Sequence, residues 1–136
     1  MQPSNTRDAI HASVESNRQC LVGLSDYLFD NPELGNQEFK AHAAITKLLR
    51  DNGFEVDDQV IGLETAFRAT FTSGTGGPRI GMLCEYDALK SMGHACGHHM
   101  QSPAILGAAF ALKEHLAGAN ATLVIYGTPA EETTSA

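Results

Sequence analysis

The sequence predicts an α/β fold, and three observations predict it. Apolar residues recur at helical spacing through the segment before Gly53. Beyond that glycine the period shortens to that of strands. The stretch from Arg79 to Gly127 then reads strand, helix, strand. The chain has 136 residues, 43% of them apolar, which suits one domain with a packed core.

Residues 6–30 read as a single helix, with Ile10, Val14, Leu21, Leu24 and Leu28 on roughly one face. The run "DNPELG" ends it, because Pro32 disfavours helical geometry at Asn31 and Gly35 permits a turn. A second helix is expected over about 37–52. Ala41, Ala44, Ile45, Leu48 and Leu49 form its buried stripe, and Gly53 caps its end. "FEV" (54–56) and "TAFRATF" (65–71) have strand character. "SGTGGP" is expected to close a hairpin onto the strand "RIGMLCEY" (79–86). It lacks the G-x-G-x-x-G spacing of a phosphate loop and opens no helix. Ser102-Pro103 predicts the start of a helix that runs to Leu116 or Ala117, before Gly118. "ATLVIYG" (121–127) has the apolar, β-branched character of a central strand. The last two strands and their helix form a parallel βαβ crossover.

The net charge of −7 and pI near 5.2, with nine scattered Lys and Arg, argue against nucleic acid or an anionic membrane as partner. Cys20, Cys84 and Cys96 are odd in number and irregular in spacing. They suggest a reducing compartment rather than a disulfide framework. "MQPSNTRDAI" has no apolar signal core, and no window is apolar enough to span a bilayer. The expectation is a soluble, cytoplasmic protein.

Two polar loops fall at the carboxyl ends of the expected parallel strands, where open α/β sheets build their sites. The first carries Glu85, Asp87 and "GHACGHHM" (93–100); the second carries Glu131 and Glu132. Imidazole, thiolate and carboxylate together can bind zinc or a similar ion, while a further carboxylate takes a proton from water. Asp87 could hold an imidazole by its other nitrogen. Other readings stay open on these residues alone. His94, Cys96 and His98 fit a helix start or a core, Glu131-Glu132 a solvated pair favoured by a helix dipole, and Asp87 a turn cap. His11, His42 and His115 read as surface or packing residues. A non-catalytic domain holding one structural metal, or a partner-binding role, is the alternative function class. The P-C-x-x-C of a zinc deaminase and the C-x-x-C of a redox site do not occur.

The motifs resemble those of the metal-dependent amidohydrolases and exopeptidases that include aminoacylases, hippurate hydrolase, auxin-conjugate hydrolases and p-aminobenzoyl-glutamate hydrolase. The matching pieces are "NPELGNQEFKA" (31–41), "ETAFRAT" (64–70), "EYDALKSMGHACGH" (85–98), "AILGAAFALK" (104–113) and "GTPAEE" (127–132). "EYDAL" leans toward the p-aminobenzoyl-glutamate hydrolase and dipeptidase-like branch. The resemblance implies a zinc-exopeptidase-like three-layer α/β/α catalytic domain. It also implies two divalent ions, zinc or manganese, and hydrolysis of an amide or peptide bond in a small N-acyl amino acid or dipeptide-like substrate. It makes Cys96, His98 and Glu132 metal ligands, Glu131 the general base and Asp87 an outer support. His94 then shapes the loop. His99 stands where relatives often carry Asn or Asp, and "TTSA" replaces their glycine-rich continuation. Relatives are longer, with further histidine ligands downstream and a dimerisation and lid domain. Residues 1–136 are therefore expected to form the N-terminal part of the catalytic domain, inactive and at most partly metal-loaded alone, with the full-length protein a homodimer.

Overall fold

The structure, a computed structural model, describes residues 6–134. Its elements are α1 (Thr6–Ser16), α2 (Arg18–Asp30), α3 (Phe39–Asp51), β1 (Glu55–Asp58), a short 3₁₀ turn (Val60–Gly62), β2 (Phe67–Ser73), β3 (Arg79–Cys84), α4 (His98–Leu116), β4 (Ala121–Gly127) and α5 (Glu131–Thr134). No helix among the described residues is long and apolar enough to cross a membrane.

The expected 6–30 helix is two helices. At Asn17 local side chains compete for the backbone: Asn17 Nδ2 and Ser16 Oγ both donate to the Ser13 carbonyl, at 2.9 and 2.8 Å. The break turns α1 aside, so Ile10 and Val14 stay substantially exposed and line an apolar groove with α2 and α4.

The expected hairpin is also corrected. The sheet order is β1-β2-β4-β3, so the last strand lies between the two that "SGTGGP" joins. β2 pairs antiparallel with β4, and β3 pairs parallel with β4. The burial pattern explains the outcome. β4 is apolar at nearly every position and takes the centre, whereas β3 leaves Leu83 exposed at the sheet margin. The parallel βαβ crossover stands as expected.

Register places the core on one face. Phe71 and Ala69 lie opposite Leu123 and Ile125, which lie opposite Ile80 and Met82. Period-two alternation sends these side chains to the same side. There they meet Leu21, Leu24 and Leu28 of α2, Ala41, Ile45 and Leu49 of α3, and Leu106, Ala109 and Phe110 of α4. On the other side Leu83 and Tyr126 remain partly open to solvent. The described residues thus supply the sheet and the helical layer over one face.

The α4 start differs from the expected Ser102-Pro103. The helix begins at His98, behind Gly97 in a left-handed conformation (φ 96°), and carries Pro103 inside. Proline lacks an N–H, so the His99 carbonyl loses its helical partner there, a cost tolerated near a helix start.

Two glycines test this packing in opposite directions. A Cβ on Gly127 would stand 2.2 Å from two ring atoms of buried Phe67, whereas one on Gly23, mid-α2, would meet nothing. Gly127→Ala should therefore destabilise the fold by ~1–3 kcal/mol. Gly23→Ala should stabilise it by ~0.5–1 kcal/mol. Urea denaturation reads both.

A second prediction concerns acid. Burial on α3 pushes the His42 imidazole below its ordinary 6.5, against the opposing pull of Asp58, whose Oδ1 lies 3.3 Å from Nε2. Burial lowers His94 likewise. The unfolded chain then binds protons that the fold resists, so stability is complete above pH 6.5 and falls as pH drops below it. Thermal melting across that range should show the decline, and His42→Gln should shallow it.

Candidate metal centre

The two site loops leave the carboxyl ends of β3 and β4, adjacent parallel strands, and so emerge side by side. Thr128 N donates to the Cys84 carbonyl at 2.9 Å, joining the loops at their roots. Farther out, Asp87 joins them again. Its carboxylate is wholly buried; Oδ2 accepts from Glu132 N at 2.9 Å, and Oδ1 lies 3.0 Å from His98 Nδ1.

His98 is the centre of the cluster. Its Nδ1 is also 3.0 Å from the Asp87 backbone carbonyl. A carbonyl only accepts hydrogen bonds, so Nδ1 is assigned a ring proton. The other nitrogen, Nε2, faces more acceptors: Glu85 Oε2 at 3.2 Å, Glu131 Oε2 at 3.8 Å and Glu132 Oε1 at 4.0 Å. One ligand atom each from Cys96, His98 and Glu132 falls within 4.8 Å of the others, and the same holds for Glu85, His98 and Glu131. Acceptors converging on a largely buried nitrogen are repulsive unless positive charge lies among them. Thiolate, imidazole and carboxylate form a donor set suited to a divalent ion such as zinc. The residues present therefore fit a metal. Burial pushes the Cys96 thiol above its usual range, an effect that Glu132 reinforces. A coordinating cation would reverse it.

The expected site residues take these places: Cys96, His98 and Glu132 come together, Glu131 reaches the same ring nitrogen, and Asp87 sits behind the imidazole. Glu131 is the more exposed of the paired glutamates, its side chain 43% accessible against 23% for Glu132. His94 belongs to neither donor group and interacts with the Leu28 backbone of α2. His99 lies with its ring centroid 5.5 Å from that of His94 and 5.1 Å from that of Phe29.

Glu38 carries a role that sequence reasoning missed. It is fully buried at the start of α3, accepting from Ala130 N at 2.7 Å and Thr65 Oγ1 at 2.8 Å. Thr65 in turn accepts the Tyr86 hydroxyl on its carbonyl. Ala130 holds a left-handed conformation (φ 62°) immediately before Glu131. The carboxylate thus braces a strained turn that aims the paired glutamates. Gly35 leaves room beside it, since a Cβ there would stand 2.9 Å from Ala130 Cα. A charged residue at a helix start ordinarily reads as solvated, so only the motif "NPELGNQEFKA" flagged this region.

No family profile matches the chain. Individual proteins do. It is 33% identical to a p-aminobenzoyl-glutamate hydrolase of Escherichia coli over 90% of its own length and 29% of that protein's. It is 37% identical to an Xaa-Arg dipeptidase of Mus musculus over 82% of its length and 29% of that protein's. Among solved structures it resembles a dinuclear metal binding peptidase of the M20 family from Bacillus subtilis. The TM-score is 0.77 at 26% identity, over 87% of this chain and 36% of that one. The family resemblance holds. An aminobenzoyl-glutamate utilization protein from Klebsiella pneumoniae shares the fold, with TM-score 0.73 at 17% identity over 90% of this chain and 39% of that one. The chain spans under a third of the length of these curated relatives.

Removing the Glu38 carboxylate would strand a buried N–H and a hydroxyl. Glu38→Ala should cost roughly 1–3 kcal/mol for each group left unsatisfied, and Glu38→Gln less, because its amide oxygen still accepts. Denaturant titration of both variants checks this order.

Proposed function

We propose that this chain carries part of a metal-dependent amidohydrolase or peptidase centre. Its reaction is hydrolysis of an amide or peptide bond in a small N-acyl amino acid or dipeptide-like substrate. The observation that carries the reading is the convergence of a thiol and carboxylates around the His98 imidazole. The names of the relatives, a hydrolase of p-aminobenzoyl-glutamate and a dipeptidase, support amide chemistry.

In this reading Cys96, His98 and Glu132 hold the first ion. Two divalent ions, zinc or manganese, would supply Lewis acidity toward the amide carbonyl and acidify water when bound. Glu131, the more exposed carboxylate, takes a proton from water and returns it to the leaving amine. Asp87 keeps the Nδ1 side of His98 engaged, so Nε2 remains the coordinating atom, and fixes Glu132 through its backbone. We further read the chain as the N-terminal part of a larger catalytic domain that acts as a homodimer. The remaining ligands and the substrate's carboxylate grip would come from segments outside these residues. Three free cysteines suit the cytoplasm.

Metal analysis tests the ligand set. Cys96→Ser and His98→Ala should each lower zinc affinity by roughly 10-fold or more. Retention of the metal in both would defeat the assignment. In the full-length enzyme Glu131→Gln should keep the metal and reduce kcat by roughly 10²–10⁴-fold. Loss of the metal instead would mean that Glu131 and Glu132 divide their duties the other way.

A further inference from the structure

Glu85 is the carboxylate nearest to His98, and the proposed mechanism gives it no task. It follows β3 directly and is held from two sides by one side chain of α4. Its backbone N donates to Gln101 Oε1 at 2.7 Å, and its Oε2 accepts from Gln101 Nε2 at 2.9 Å. The Ser102 hydroxyl donates to its carbonyl. Both the main chain and the carboxylate are thereby fixed before any ligand arrives.

The same Oε2 lies 3.2 Å from His98 Nε2. Glu85, His98 and Glu131 each bring one donor atom to within 4.8 Å of the others. The 3.2 Å separation has a simple meaning in coordination geometry. Nitrogen and oxygen ligands at about 2.0–2.2 Å from one ion stand about 3–3.5 Å apart at tetrahedral or octahedral angles. Glu85 already sits at the spacing of two donors sharing an ion.

We propose that Glu85, clamped by Gln101, is itself a ligand of the cation held by His98, and that this added oxygen donor biases the site toward manganese relative to zinc. The inference rests on the metallohydrolase reading. Its chemical basis is that carboxylate oxygens suit manganese, whereas thiolate and imidazole favour zinc.

Calorimetric titration of the protein with manganese chloride, and separately with zinc chloride, tests it. Glu85→Gln should weaken manganese binding roughly 10- to 100-fold and zinc binding less. Gln101→Ala, which frees the carboxylate without removing it, should weaken manganese binding by a smaller factor. Glu85→Asp keeps the charge but shortens the reach, and should also lose manganese affinity. It carries the test if circular dichroism shows that Glu85→Gln does not fold. Unchanged manganese affinity in a folded Glu85→Gln, or in Glu85→Asp, overturns the proposal while leaving the metal site intact. Equal losses for both ions overturn the bias toward manganese. A full-length wild-type protein that binds neither ion overturns the metallohydrolase reading, and this inference with it.

Discussion

The buried carboxylate of Asp87 is the interaction on which the rest of the site depends. A charge with no solvent access is costly unless its oxygens meet donors. Here one donor is the backbone of Glu132 and the other side of the group faces the His98 ring, so the two loops are tied at a point neither could hold alone. Asp87's main chain adds a second hold on the same imidazole and sits 3.8 Å from the Cys96 sulfur. One residue therefore orients the His98 ring, lies against the Cys96 thiol and anchors the helix that bears the paired glutamates.

Around this knot the fold places further braces, all from segments earlier in the chain. The 31–38 loop contributes the Glu33 carbonyl, which accepts from Ala88 N at 2.8 Å, and the Glu38 carboxylate beneath Ala130. One strut thus steadies each site loop. Glu33 also caps α3, its carboxylate accepting from the backbone of Lys40 and Ala41. The polar run that ends α2 is thereby connected to both loops of the candidate site.

Much of this was legible in the sequence, because local chemistry signals it. Helical periodicity located α2 and α3, β-branched apolar character located β4, and the two polar loops at strand ends pointed to the residues that cluster around His98. The failures share a cause. Nothing in "SGTGGP" records that β4 will separate β2 from β3, since strand order is settled by which strand buries both faces. Nor does periodicity register Asn17, where side-chain hydrogen bonds to Ser13 break the helix. Glu38 was hidden, and Glu85, though named in the first site loop, was given no task, for a related reason. A glutamate's role depends on whether distant chain segments cover it, as Thr65 and Ala130 cover the first and Gln101 engages the second.

The strand order also has a consequence for assembly. Among the described residues β4 is the last strand in sequence and a central one in the sheet, so the sheet closes only when distant stretches of sequence have met. Such non-local closure is slow relative to helix formation. The site loops hang from β3 and β4, so the donor cluster comes into existence at that same step. A cation bound across His98 and Glu132, as proposed above, would act as a latch on the topology. By mass action it would raise the free energy needed to withdraw β4 from between its neighbours, linking occupancy of the site to persistence of the fold.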